Sequence, residues 1–256
     1  MLFPISDDDR EVDTPATVTY SFIVVNVLLF VVQLLFPDFT YGWSVVPKEI
    51  VTGVDLVEPQ LVEVANGETI EIPQSQGPWI LWITLLSSMF MHGGVGHIAG
   101  NMLYLWIFGN NVEHRFGHGW FLVFYLVAGL CGSMAQIAVD PYSVIPNLGA
   151  SGAIAGVLGA YLVLFPHNRV HVVFLYSVFS VPAIVVLGLW IATQLVSGFG
   201  SIASTSSGGG VAYMAHIGGF FAGVALAAWA RMRYRDEPDS LVFRQYERDP
   251  RDRRIW

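Results

Sequence analysis

The sequence predicts an all-α polytopic membrane protein with six transmembrane helices and one long loop after the first. Three observations carry that prediction. The 256 residues are 54% hydrophobic and only 12% charged, where soluble domains are about a quarter charged. Mean hydropathy is +0.56. From Val170 to Ala230 there is no Asp, Glu, Lys or Arg, a length that a bilayer can solvate and a water-facing surface cannot. One span takes about 20 residues, so this stretch holds two spans and a turn.

The elements follow in order. Residues 1–17 read as a polar tail, acidic at Asp7, Asp8 and Asp9. No basic stretch or small-residue cleavage site marks a signal peptide. Val18–Phe36 is the first span. Residues 37–78 are a long acidic loop, in which "LVEVANGETIEIP" alternates like a hairpin with Asn66-Gly67 at its turn. Pro78–Met91 is apolar, short and Trp-rich, as expected of a helix at the headgroup boundary. The second span is Val95–Val112 and the third Trp120–Ala138. The fourth opens at Gly149–Ser151 and ends before Pro166. Val170–Ser180, β-branched and aromatic, is placed along the interface. The fifth span is Ala183–Ser197, "GFGSIASTSSGGG" (198–210) is a polar loop, and the sixth span is Val211–Ala230. The membrane domain is thus 18–230, and 231–256 is a charged tail.

Six spans put both ends on one side. Arg115, Arg169 and the cluster from Arg231 fall on that side, and only Lys48 on the other. The positive-inside rule makes both ends cytoplasmic in a plasma membrane, so the long loop and the start of span four face outward. The net charge of −8 argues against nucleic acid, which wants a basic face. Cys131 is the only cysteine and is read as packing.

Polar groups inside a bilayer are expensive and need a reason. The candidates are Ser151, His92, His97, Asn101, Asn110, Asn111, Gln136 and His216. A serine hydroxyl is a weak nucleophile until a base takes its proton, and a neutral imidazole does this near pH 7. Their helices must then touch closely. Ser151, Ala155 and Gly159 share one face of span four. His216, Gly219 and Gly223 share one face of span six. Gly152-x-x-x-Gly156 and Gly219-x-x-x-Gly223 are close-packing patterns for membrane helices. His97 and Asn101, at i and i+4, lie near the outer end of span two. With the Ser151 N–H they supply donors for an oxyanion. His92 reads as a supporting hydrogen-bond residue.

Other chemistries fit less well. His114 and His118 are also i, i+4, but no third metal ligand accompanies them. There is no H-E-x-x-H. No carboxylate falls mid-span, which excludes an aspartyl intramembrane protease and disfavours a proton-coupled transporter.

Three segments, "FMHGGVGHIAGNMLYLWIFGNNVEHRFG" (90–117), "GASGAIAG" (149–156) and "AHIGGFFAG" (215–223), resemble in order and spacing the rhomboid family of intramembrane serine proteases. The resemblance covers roughly residues 79–230. It implies Ser151 as nucleophile, His216 as base, and His97 and Asn101 as oxyanion donors. It gives Gly149 a place in the nucleophile motif, and Glu113 and Arg115 a structural role at the cytoplasmic end of span two. It implies a six-helix bundle, transmembrane protein substrates cut near their outer end, and no cofactor. The loop before span six becomes a cap and span five a gate. A catalytically inactive relative that binds membrane clients is the alternative. Two positions depart from the family. Ile83-Thr84 stand where many members have Trp-Arg. Ala155 stands where many place an aromatic against the histidine.

Overall fold

The computed structural model describes residues 3–8, 14–63, 67–203 and 211–233. Six long helices dominate: α1 (Thr17–Leu35), α5 (Val95–Phe116), α6 (His118–Val139), α7 (Ser151–Leu164), α8 (Ala183–Ala203) and α9 (Tyr213–Arg233). Four of them, α1, α6, α8 and α9, are long and apolar enough to cross a membrane, and the chain is an integral membrane protein. The other two differ for physical reasons. At 14 residues, α7 is about 21 Å long, less than the hydrocarbon core of about 30 Å. The 22 residues of α5 include His97, Asn101, Asn110 and Asn111, which lower its hydropathy, as well as Glu113, His114 and Arg115 at its end.

The helices are inside-out relative to a soluble bundle. On α1 the polar Thr19, Asn26 and Gln33 are buried, while Leu28, Leu34 and Leu35 are exposed. Lipid is as good a solvent as a protein core for leucine but not for an amide. The buried core is aromatic and small-residue rich. Phe22 stacks on Tyr125 with ring centres 4.3 Å apart, and Phe108 meets Tyr161 edge-on at 5.0 Å. Both sit in one cluster with Leu105, Leu158 and Leu187.

Two small sheets qualify the all-α expectation. The segment read as a polar tail contributes strand β1 (Phe3–Asp7). It pairs antiparallel with β4 (Arg169–Phe174), which pairs with β5 (Ser177–Pro182). The stretch expected along the interface is therefore a hairpin, turning through Leu175 and Tyr176 at positive φ. The second sheet is the hairpin anticipated in the long loop, β2 (Gln60–Glu63) with β3 (Thr69–Ile72). Its Asn66 lies outside the described residues, as do 204–210 of the polar loop and 234–256 of the charged tail. The remainder of the long loop carries two short helices, α2 (Pro37–Gly42) and α3 (Pro47–Thr52), each opened by a proline. The apolar segment after it is helical from Leu81 to Phe90, through α4 (Thr84–Ser87).

The long loop props the turn that leads into α7. Val45 and Asn147 exchange backbone hydrogen bonds, the Lys48 N–H donates to Ser143 O, and Gln74 Nε2 donates to Val144 O. Val45, Ile50, Leu81 and Leu85 form a second apolar cluster with Ile137 of α6.

At the opposite end, Glu113 caps α1. Its two carboxylate oxygens accept the N–H groups of Val18 (2.8 Å) and Thr19 (2.7 Å). Ala16, at the cap position, has no side chain able to do so. Arg115 lies on the last turn of α5, half-buried.

Candidate active site

Glycine brings α7 and α9 together. A side chain at Gly219 would strike the carbonyl oxygen of Gly152, and one at Gly223 that of Gly156. The two small-xxx-small patterns therefore mesh with each other, backbone to backbone. α6 joins the same contact: a methyl at Gly132 would lie 2.6 Å from Ala215 O. Larger residues on any of these faces would separate the helices and everything they carry.

Above the glycines, Ser151 Oγ and His216 Nε2 are 2.8 Å apart. Ser151 is the first residue of α7, so its N–H has no partner within the helix, and the positive end of the helix dipole lies there. Gly149 leads into it at φ +128, a conformation that favours glycine, and its N–H donates to Ser88 O. A methyl at Gly149 would lie 2.8 Å from His97 Nε2 and 3.5 Å from Ser151 Oγ, so serine and His97 flank one small space.

His97 is a donor toward that space. Its Nδ1 accepts the Gly93 N–H at 3.3 Å, which leaves the proton of the neutral ring on Nε2. One turn along α5, Asn101 is buried and its Nδ2 has no hydrogen-bond partner among the described residues. A buried donor left unmade costs about 1–3 kcal/mol, which an acceptor from a water or a ligand would relieve. His92 packs edge-on against His97, ring centres 5.2 Å apart. Gln33 of α1 clamps the His92 backbone through its N–H (3.0 Å) and its carbonyl (3.1 Å). His92 thereby backs His97 and does not reach the serine pair.

A cavity of about 30 Å³ adjoins Ser151, lined in part by Ser133, Gln136, Asn147 and Gly149. It has room for a water or two. Gln136 Oε1 is buried and unpartnered among the described residues, an acceptor such a water would satisfy. A larger cavity of about 90 Å³ between α6 and α9, lined by Phe116, Trp120 and Trp229, has only apolar walls and offers no chemistry.

One side chain at the site lies outside the sequence reading. Gln194 of α8 is buried, and its Oε1 is 2.8 Å from His216 Nδ1. Beside it, the Trp190 ring lies 5.9 Å from the imidazole at 37°. Only its rarity, a lone amide in a charge-free span, marked Gln194 in the sequence. His114 and His118 do not approach each other's partners: His118 Nδ1 is 2.6 Å from Glu113 Oε1, and His114 Nδ1 is 3.1 Å from Thr14 Oγ1.

A family model described as the Rhomboid domain matches residues 80–233. Over 155 residues the chain is 41% identical to the rhomboid protease GluP of Bacillus subtilis (strain 168), covering 59% of this chain and 27% of GluP. It is 34% identical over 155 residues to Rhomboid protein 1, mitochondrial, of Saccharomyces cerevisiae, covering 57% of this chain and 41% of that protein. It is 32% identical over 167 residues to RHOMBOID-like protein 12, mitochondrial, of Arabidopsis thaliana, covering 59% and 46%. The matches thus span less than half the length of these curated relatives.

Proposed function

The chain belongs to the rhomboid family, and from that premise we propose that it is an intramembrane serine endopeptidase that cuts transmembrane segments of membrane proteins near their outer end. The observation that carries the reading is the 2.8 Å hydrogen bond between Ser151 Oγ and His216 Nε2, on two helices whose backbones touch.

In this mechanism the Ser151 proton passes to His216 Nε2 as Oγ bonds to the substrate carbonyl carbon and the π pair moves onto its oxygen. The Ser151 N–H, His97 Nε2–H and Asn101 Nδ2 stabilise that oxyanion. The imidazolium then protonates the leaving amine. A water from the cavity by Gln136 attacks the acyl carbon, its proton taken by His216; the C–Oγ bond then breaks, the imidazolium returns that proton to Ser151 Oγ, and the carboxylic acid product leaves. Every group needed belongs to the chain, so the reading calls for no cofactor. On a six-span reading, with α5 and α7 as the second and fourth, the site lies toward the outer surface. The arginine bias supports cytoplasmic termini in the plasma membrane; two of the relatives are named mitochondrial, and fractionation distinguishes the two membranes.

The test is cleavage of a reporter transmembrane substrate by purified protein in liposomes. Ser151→Ala is expected to abolish product. Full cleavage by that variant would sink the reading. Absence of Ser151-dependent labelling by a fluorophosphonate would favour an inactive, client-binding relative.

A further inference from the structure

A serine–histidine pair has an ambiguity that geometry between the two cannot resolve. Neutral imidazole carries one N–H. If the proton sits on Nε2, the ring donates to the hydroxyl and cannot accept its proton. If it sits on Nδ1, the Nε2 lone pair is free to act. Something must select Nδ1–H. Ala155, one turn below Ser151, offers only a methyl and cannot do it.

The structure assigns this task to α8: we propose that Gln194 is the positioning residue of His216, holding the base in its reactive tautomer. The inference rests on the hydrolase reading above. The Gln194 amide presents its oxygen, not its nitrogen, to His216, and a hydrogen-bond chain explains why. The Thr193 hydroxyl donates to Trp190 O at 2.7 Å, so its oxygen can only accept from elsewhere. Gln194 Nε2 faces that oxygen at 3.4 Å. The amide group is therefore oriented with Oε1 toward Nδ1, at 2.8 Å. A carbonyl oxygen accepts only, so Nδ1 must carry the proton.

The tryptophan on the same helix fixes the plane of the ring. Trp190 spans His216 and Phe220, one turn apart on α9, with ring centres 5.9 and 6.1 Å away. One turn beyond Gln194, Gly198 lets α8 close on α9: a methyl there would lie 2.6 Å from Met214 Cε and 3.0 Å from Ile217 Cδ1. Trp190, Gln194 and Gly198, at i, i+4 and i+8, form one stripe of α8 that grips the turn of α9 bearing His216.

The choice of glutamine over a carboxylate fits the medium. When the Ser151 proton moves to Nε2, the ring becomes a cation with Nδ1–H still donated to Oε1. The amide dipole then faces the new charge. A carboxylate would stabilise it more, but burying an ion among apolar helices costs far more than burying an amide hydrogen-bonded at both its oxygen and its nitrogen.

The experiment uses the full chain in detergent or liposomes. Nitrogen-15 NMR of labelled histidine, with His216 assigned by His216→Ala, reads the tautomer of the wild type directly. Protonated Nδ1 is expected, and protonated Nε2 in the wild type would overturn the proposal without any variant at Gln194. The second arm follows the rate of Ser151 labelling by a small fluorophosphonate, which needs no protein substrate to enter. Gln194→Leu removes the acceptor and should slow labelling about ten- to a hundredfold. Gln194→Glu, buried as the neutral acid, keeps a carbonyl acceptor and should recover most of that loss. Labelling of Gln194→Leu at the wild-type rate would overturn the inference and leave the hydrolase reading standing. Loss of Ser151-dependent labelling in the wild type itself would instead bring down the hydrolase reading, and this inference with it.

Discussion

The bundle has two buried polar clusters, one at each end, and they are finished differently. At the Glu113 end the acceptors are paired. Both Glu113 oxygens cap α1 and one also meets His118. Asp7 Oδ2 accepts from Tyr161 Oη at 2.7 Å and from Asn111 Nδ2 at 2.8 Å. At the Ser151 end, Asn101 Nδ2 and Gln136 Oε1 are sealed from solvent with no partner among the described residues. Buried polar groups are nearly always bonded, and unpartnered ones occur at both ends, Thr19 Oγ1 beside Glu113 among them; the contrast lies in the carboxylates, which tie elements together at one end and are absent from the neutral serine and histidine pair at the other. The paired carboxylates hold elements together. At the Ser151 end, Asn101 Nδ2 and Gln136 Oε1 stand beside a hydrogen-bonded serine and histidine, where on the proposed function a substrate would supply their partners.

If the contrast is sound, substitutions at the two ends move different quantities. Glu113→Ala strands the buried Thr19 N–H and the half-buried Val18 N–H, and should cost about 2 kcal/mol of stability. Thermal unfolding in detergent would read this as a large fall in Tm, while the folded fraction labels with fluorophosphonate at the wild-type rate. Asn101→Leu should do the reverse. Loss of one oxyanion donor lowers kcat/KM on the reporter substrate about a hundredfold, and Tm is unchanged or raised because an unpaired buried donor is gone. A melting defect in Asn101→Leu with normal turnover would break the comparison.

The smallest effect sharpens it. Glu49, on α3 of the long loop, is buried with one oxygen accepting the Leu56 N–H at 2.8 Å. Burial pushes its carboxyl up to about 7; the Leu56 N–H opposes that shift and the nearby Asp55 adds to it. The folded state therefore favours the protonated form. Its contribution to stability is complete below about pH 4.5 and is lost as pH rises to about 7. Wild-type Tm should carry a downward slope across that window, and Glu49→Gln should flatten it. An equal slope in both proteins would show that this carboxyl is not the source.

Much of this was legible in the residues. Apolar runs gave the helices because lipid leaves no other way to satisfy a backbone. Ser151, His216, His97 and Asn101 stood out because each is costly in an apolar helix. The glycine patterns announced close packing, and Gly152 with Gly219 and Gly156 with Gly223 do meet. The sequence also announced the hairpin of the long loop. It did not announce β1, a five-residue stretch, Phe-Pro-Ile-Ser-Asp, too short to carry a pattern of its own, which becomes a strand by pairing with the edge of β4.

Sequence alone determined which residues lipid would reject and which faces were small enough to touch, since both are properties of one helix and its solvent. Tertiary structure decided who meets whom. The Asp7–Tyr161 bond joins residues 154 positions apart, and the Gln194–His216 bond depends on the rotation of α8 about its axis. A turn of one residue, about 100° on a helix, would send that amide into lipid and leave the imidazole without its partner. Rotation and register are set by the packing of all the helices at once, and no single segment of the chain encodes them.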